Sequence, residues 1–230
     1  MKKGLQYTLY EVVREWGNIE FNKQLAHNDG ESVNHSALCS TDGMNYSLNI
    51  PRYPQRFEPH QWPSGKLQQG EGPEYWGNRA CGLACLRMII AHFGNHVPPQ
   101  YELLTHALEQ HAYSSPQGWI HKGLAKLGKK YGLSATPILI ENSEKLQYVL
   151  ETIGPVIASI THKFPEDGRK GGHLVVISGC HRESETISFR DPSRWGENHS
   201  SVSEKRFFSS FTGRGICFSF HSKKIYELLP

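Results

Sequence analysis

The sequence lacks any apolar run close to the roughly 20 residues that a bilayer-spanning helix needs. It also lacks a secretion signal, because Met1-Lys2-Lys3 is followed by a mixed stretch and not by an apolar core. Hydrophobic residues make up 37% of the chain and aromatic residues 11%, which is enough to build the core of a water-exposed protein. We therefore expect a cytoplasmic protein that has no membrane partner.

A charge excess of one sign is also missing. The chain has 25 Lys and Arg against 22 Asp and Glu, for a formal net charge of +3. No basic arm or acidic tail is present, whereas a nucleic-acid-binding surface is strongly basic. We therefore expect no nucleic-acid partner.

Cysteines are few, odd in number and irregularly spaced. The chain has 5 cysteines without a CxxC motif, and its 13 histidines include no HExxH motif. A disulfide framework uses an even number of cysteines, and zinc sites use such short spacings. The sequence predicts reduced thiols and neither a metal nor a cofactor. The cysteines are Cys39, Cys81, Cys85, Cys180 and Cys217.

Two regions with different patterns follow each other along the chain. Residues 1–60 have strand-like stretches over 5–13, 19–21 and 44–50 with turn signals between them, and they predict a β-rich N-terminal extension. A loop rich in Pro, Gly and Gln follows over 59–73. Residues 61–230 predict one larger domain.

The larger domain is predicted to begin with helices and to end with strands. Helices are predicted over 81–93, after Pro99, over 118–131 and over 142–154. Strands are predicted over 156–160, 173–178, 186–191 and 216–220. This order indicates an α+β fold and not repeated βαβ units.

Cys81 opens a helix that is apolar on almost every face and is therefore expected at the centre of the protein. The positive end of the helix dipole and the free N–H groups of the first turn both lower a thiol's pKa and favour the reactive thiolate. The alternative for Cys81 is a small core residue. Cys85 lies one turn deeper on the same face, where a core role is favoured.

His173 and Asp191 complete a set of side chains that suits acyl chemistry. His173 begins an apolar strand, and Asp191 ends the next strand after a turn at Arg182-Glu183-Ser184-Glu185. A hairpin centred on that turn brings Asp191 opposite or beside His173. Taken singly, the histidine suits a ring bonded to a backbone carbonyl and Asp191-Pro192 suits a turn. Together with Cys81 they predict a nucleophile, a general base and an orienting acid.

The segments Cys81-Gly82-Leu83-Ala84-Cys85, Gly172-His173-Leu174-Val175 and Asp191-Pro192 resemble the papain-like cysteine peptidases that cut bacteriocin leaders after a double glycine, and their stand-alone relatives. The resemblance covers roughly residues 75–220. It implies a papain-like catalytic domain over 61–230, with Cys81, His173 and Asp191 as the triad.

The chain departs from that family's pattern at the oxyanion donor. The family places a Gln six residues before the nucleophile, where this chain has Tyr75. Gln69, Gln68 or Asn78 are the alternatives for the donor. The first 60 residues match nothing in the pattern, and no transporter segment is present, so we do not expect leader processing inside an exporter.

The resulting hypothesis is acyl transfer through a thioester on Cys81. Release to water would make the protein a peptidase or amidase, and release to an amine would make it an amide-forming acyltransferase in a biosynthetic pathway. The substrate would be a peptide or a small acyl or amide compound, which a carrier could present. Two further alternatives are a non-catalytic papain-like binding module and a metal-binding or redox site formed by Cys81, Cys85 and His92.

Overall fold

The computed structural model describes residues 45–115, 117–161 and 172–220, all within the compact unit 38–225. Helices α1 to α6 are Pro73–Gly77, Cys81–His92, Gln100–Glu109, His121–Lys130, Ser143–Thr152 and Glu204–Ser210. Strands β1 to β9 are Asn45–Ser47, Tyr113–Ser114, Gly118–Trp119, Leu133–Leu139, Val156–Ile160, His173–His181, Thr186–Arg190, Ser201–Ser203 and Phe211–Phe220. Short 3-10 helices cover Pro59–Gln61 and Arg194–Glu197.

One antiparallel sheet forms the framework of these residues. Its strands follow the order β4-β9-β5-β6-β7-β8, and β1 pairs with the far end of β6. Strand β5 pairs with the first half of β6, from Val156 opposite Ile177 to Ile160 opposite His173. Strands β2 and β3 form a separate two-stranded ribbon. The first residue of β6, His173, therefore lies near the middle of the sheet's strand order.

Helix α2 lies against this sheet and is buried along most of its length. Residues 82–90 are all buried, as expected for a helix that is apolar on almost every face. The Cys85 thiol donates a hydrogen bond to the Leu174 carbonyl of β6 at 3.3 Å, which ties the helix directly to the strand that begins with His173. The burial of α2 therefore fixes Cys81, at its first residue, relative to β6.

A β-bulge interrupts the pairing of β6 with β7. Near the turn, Gly179 pairs with Ser188, but one step further Ile177 pairs with Phe189, so Ser178 is an extra residue on β6. The Ser178 carbonyl accepts a hydrogen bond from the Leu48 N–H at 2.6 Å. The bulge shifts the register of every following pair by one residue.

The segment that follows β1, residues 48–57, is called the strap below. It runs from the bulge past the Asp191 end of β7 to the turn that precedes α2. The Ile50 side chain is 1% exposed and belongs to the core. The strap thus packs into the same core as helix α2 and the large sheet.

The predicted α+β class is confirmed, and most predicted elements occur near their expected positions. The helix predicted over 118–131 is wrong at its beginning, because Gly118 has a positive φ of 74° and Gly118–Trp119 pairs with β2 before α4 begins at His121. Strand β9 also begins at Phe211, five residues earlier than predicted. Strands predicted over 5–13 and 19–21 lie outside the described residues, and the boundary at residue 60 stays a prediction.

Candidate active site

Cys81 is the first residue of α2 and is only partly exposed. Ala80 precedes it as the N-cap and provides no side-chain oxygen to the helix. The first turn of a helix carries backbone N–H groups without intrahelical acceptors and the positive end of the dipole. A thiolate or an oxyanion at Cys81 would therefore be stabilised by its position in the fold.

Cys85 lies in a different environment although it is only one turn away. Its side chain is 0% exposed and already bonded to the Leu174 carbonyl. Burial, and then the charges of Cys81 and Asp191, raise the pKa of the Cys85 thiol well above its ordinary value. This thiol stays protonated at neutral pH, as expected for a core cysteine.

His173 and Asp191 form a buried pair. The His173 Nε2 lies 2.8 Å from the Asp191 Oδ1, and the two side chains are 3% and 0% exposed. The Cys81 side chain is the second group that interacts with His173, and it helps to raise the histidine's pKa. The structure thus brings together all three side chains that the sequence singled out.

The electrostatics of the pair favour its charged forms. Burial alone would lower the pKa of His173, but hydrogen bonds with Asp191 and Cys81 outweigh burial and raise it. Burial alone would raise the pKa of Asp191, but bonds from His173 and Ser193 outweigh it and lower that pKa. An imidazolium is therefore retained to a higher pH than for a free histidine.

The bulge at Ser178 explains why Asp191 is within reach of His173. Val176 pairs with Arg190, so Asp191 follows at a position opposite Val175, which shares a face of β6 with His173. If Ser178 paired with Phe189 and did not bulge, Asp191 would lie opposite Val176 and point to the other face. Asp191 therefore lies diagonally across from His173, and the long imidazole side chain reaches its carboxylate at 2.8 Å.

The carboxylate is also held by its own loop. The Ser193 N–H donates to the Asp191 Oδ1 at 2.7 Å. Gly196 packs so closely that a Cβ there would lie 2.2 Å from the Asp191 carbonyl oxygen and 2.6 Å from its Cβ. The strap residue Arg52 bonds the backbone carbonyls of Asp191 and Ser193 at 2.8 and 2.6 Å. None of these three supporting residues was identified from the sequence.

Aromatic residues surround the nucleophile end of α2. The Trp119 ring lies directly over Gly82, where an added Cβ would come within 2.6 Å of it, and the Trp119 indole donates to the Arg79 carbonyl at 2.6 Å. The Arg79 guanidinium lies 3.8 Å above the Tyr75 ring. Tyr113 stacks edge-on against Trp119 at 5.1 Å. These side chains form a wall beside Cys81.

The oxyanion-donor alternatives differ in their surroundings. Gln68 is engaged elsewhere, because its side-chain amide donates to the Thr105 hydroxyl at 2.7 Å. Gln69 has a positive φ of 50° in the preceding turn. Asn78 ends α1 three residues before Cys81, and its side-chain oxygen accepts a bond from Arg56 at 3.4 Å. Asn78 is thus the alternative nearest to Cys81 in sequence and has an amide nitrogen to offer.

The metal or redox alternative is not supported by the geometry. His92 lies at the far end of α2, about 16 Å along the helix axis from Cys81. Its Nδ1 contacts the Asn49 carbonyl at 2.9 Å. Within the described ranges, no group of His, Cys, Asp and Glu has the arrangement of a metal site.

Comparisons with known proteins agree with the geometry of the site. The sequence profile of the peptidase C39 family matches residues 76–223. No curated protein matches the chain. In the part of the chain that the structure describes, no helix is long and apolar enough to span a membrane.

Solved structures with a similar fold include several peptidase domains. A double-glycine-motif protease from an AMS/PCAT transporter, in complex with the leader peptide, is 20% identical with a TM-score of 0.50, over 76% of this chain and 94% of that one. The peptidase domain of Streptococcus ComA, a bifunctional ABC transporter involved in quorum sensing, is 21% identical with a TM-score of 0.48, over 62% and 92%. The peptidase C39-like domain of a Vibrio parahaemolyticus toxin-secretion protein is 19% identical with a TM-score of 0.43, over 61% and 96%. The fold is papain-like, as the sequence predicted.

Proposed function

The chain belongs to the peptidase C39 family, and from this premise we propose that it hydrolyses peptide bonds through a thioester on Cys81. Membership supports a cysteine peptidase-like activity in general terms. The proposal adds the residues: Cys81 as nucleophile, His173 as general base and acid, and Asp191 as the group that orients the imidazole.

One observation carries the proposal. A buried histidine bonds a buried carboxylate at 2.8 Å through Nε2 and shares a second hydrogen bond with a thiol at a helix N-terminus. A histidine that only fills the core needs one partner for its ring, whereas His173 interacts with both the Asp191 carboxylate and the Cys81 side chain. An imidazole held between a carboxylate and a thiol is the arrangement that activates a cysteine nucleophile.

The proposed reaction has two steps. The Cys81 thiolate attacks the carbonyl carbon of the substrate. The oxyanion that forms is bound by the N–H of Cys81 and a side-chain donor, for which Asn78 is the alternative nearest to Cys81 in sequence. The His173 imidazolium gives its proton to the leaving amine as the C–N bond breaks, which leaves a thioester. Water then attacks the thioester and gives a proton to His173, which releases the acid and restores the thiolate–imidazolium pair.

The substrate proposed is a peptide that binds in an extended form beside Trp119. Support comes from the solved protease of the same fold that holds a leader peptide.

Release to an amine remains the alternative outcome on the same fold. It would require a site that positions the amine and excludes water. Large aromatic residues could exclude water from such a site, but Trp76 is 1% exposed and belongs to the core. Trp195 stacks between Phe189 and His199 in the loop after Asp191.

The test starts with a peptide library incubated with the protein, followed by mass spectrometry of new termini. Cleavage should disappear in Cys81→Ala. It should persist in the matched control Cys85→Ser, whose hydroxyl can keep the bond to Leu174. Cleavage by Cys81→Ala, or its loss in a folded Cys85→Ser, would contradict the assignment.

A second measurement decides between water and amine as acceptor. Cys81 is loaded with a small activated thioester, and graded concentrations of amines are added. Hydrolysis that dominates for every amine supports the peptidase, and saturable aminolysis supports the acyltransferase. A protein that neither acylates nor cleaves would be the non-catalytic module.

A further inference from the structure

The strap lies outside residues 76–223, the range that the family profile covers, yet it contacts both sides of the candidate active site. We propose that it is a positioning element for the acid of the triad, with Arg52 as its central residue. The inference rests on the proposed function, because it assigns a role through Asp191.

Arg52 holds the backbone on both sides of Pro192. Its Nε donates to the Asp191 carbonyl at 2.8 Å, and a terminal nitrogen donates to the Ser193 carbonyl at 2.6 Å. The strap residue Gln55 closes the gap with an N–H bond to the Pro192 carbonyl at 2.8 Å. Three consecutive carbonyls are thus bound from one side.

These hydrogen bonds from Arg52 and Gln55 affect the position of the Asp191 carboxylate. The Ser193 N–H donates to the same Asp191 oxygen that His173 contacts. The orientation of that N–H depends on the peptide units that Arg52 holds. An arginine suits the task, because its planar guanidinium presents N–H donors from separate nitrogens in a rigid arrangement, whereas all the donors of a lysine lie on one nitrogen.

The strap also reaches the nucleophile side. The Gln55 side-chain amide donates to the Gly77 carbonyl at 3.1 Å, in the turn that leads into α2. The Gln55 backbone carbonyl accepts a hydrogen bond from the side-chain amide of the buried Gln100 at 2.6 Å, which attaches the strap to α3. At its other end, Leu48 bonds the bulge residue Ser178. The strap therefore connects three features that set the relative positions of Cys81, His173 and Asp191.

The test is a double-mutant cycle between Arg52 and Asp191. Arg52→Ala should lower kcat about ten-fold with little change in KM, because a misplaced orienting group affects the reacting geometry and not uniform binding. The same change made in Asp191→Asn should have little further effect, because Arg52 acts through Asp191. Arg52→Lys should recover only part of the loss.

The matched control is Arg182→Ala, which removes an arginine of the β6–β7 turn that bonds Gln147 away from the site. It should keep kcat close to that of the unmodified chain. Melting temperatures are recorded for every variant. If Arg52→Ala does not fold, the cycle is run with Arg52→Lys, which keeps the charge but replaces the two donor nitrogens of the planar guanidinium with one.

A substrate-independent readout separates this inference from the proposed function. The alkylation rate of Cys81 is measured against pH in all variants. An Asp191→Asn variant with unchanged turnover and alkylation would overturn the triad itself. Asp191→Asn could also be impaired while Arg52→Ala lowers the rate by the same factor in that variant as in the unmodified chain. This result would overturn only the positioning role.

Discussion

Gly196 offers a way to move the triad's acid without changing its chemistry. In Gly196→Ala the new Cβ would lie 2.2 Å from the Asp191 carbonyl oxygen, and an ordinary contact there begins at 3.4 Å. Asp191 must therefore retreat by about 1.2 Å. Gly196 lies in the 3-10 helix Arg194–Glu197, so alanine is compatible with the backbone and the effect comes from the contact alone.

The expected magnitude follows from the two hydrogen bonds of Asp191. A shift of this size takes the 2.8 Å contact with His173 beyond the usual limit for a hydrogen bond. A misplacement of about 1 Å costs roughly 10²-fold in rate, so kcat/KM should fall by about that factor. Overpacking costs about 1–3 kcal/mol in the free energy of unfolding, which leaves the protein folded.

The assay compares kcat/KM, the pH dependence of Cys81 alkylation and the urea midpoint. The matched control is Gly72→Ala, where the nearest atom to the new Cβ is 4.0 Å away and the backbone is extended. The control should keep activity within about two-fold. A Gly196→Ala variant with unchanged kcat/KM and an unchanged pH profile would refute the argument that close packing against Asp191 sets the geometry of the site.

Three further predictions concern charge and packing at the site. Folding lowers the pKa of Asp191, so this carboxylate stabilises the fold above the ordinary carboxyl pKa, and the contribution is lost as the pH falls. Asp191→Asn should remove this contribution. Urea midpoints that run parallel for both proteins from pH 7 to pH 3 would contradict this. His173→Ala should slow the alkylation of Cys81 at pH 6–7, because the raised pKa of His173 keeps an imidazolium beside the thiol. The effect of the imidazolium is lost as the pH rises through that pKa. Superimposable pH profiles of the two proteins would count against the ion pair. Gly82→Ala should destabilise the protein by about 1–3 kcal/mol and red-shift the tryptophan emission, because the new Cβ would come within 2.6 Å of the Trp119 ring; an unchanged unfolding midpoint and spectrum would show that the ring adjusts freely.

Local patterns in the sequence predicted the elements that carry the three candidate side chains. Helix α2 was predicted because its residues are apolar on almost every face, and β5 was predicted with its observed bounds, Val156–Ile160. The turn between two apolar strands predicted the hairpin that brings Asp191 towards His173, but not the bulge that sets the face of Asp191. Each of these signals lies within a short stretch of chain.

Features that depend on distant residues were not predicted. Arg52 contacts the Asp191 carbonyl across 139 positions of sequence, and a backbone acceptor leaves no trace in the identity of the residue that provides it. The bulge at Ser178 likewise has no signature in the strand's alternation. Strand β4 was missed because Pro137 interrupts its pattern. The start of α4 was misplaced because Gly118, which has a positive φ, begins strand β3 of the ribbon and not the helix.

The bulge on β6 constrains how the length of this hairpin can change during evolution. Residues inserted or removed in the turn between His181 and Thr186 leave the pairing of the strands untouched, so the turn is free to vary in length. A single deletion between Ser188 and Arg190 would instead carry Asp191 back opposite Val176 and turn its carboxylate away from His173. Lineages of this fold should therefore accumulate length differences at the tip of the hairpin, and a change within β7 should survive only when a compensating residue is lost or gained on β6.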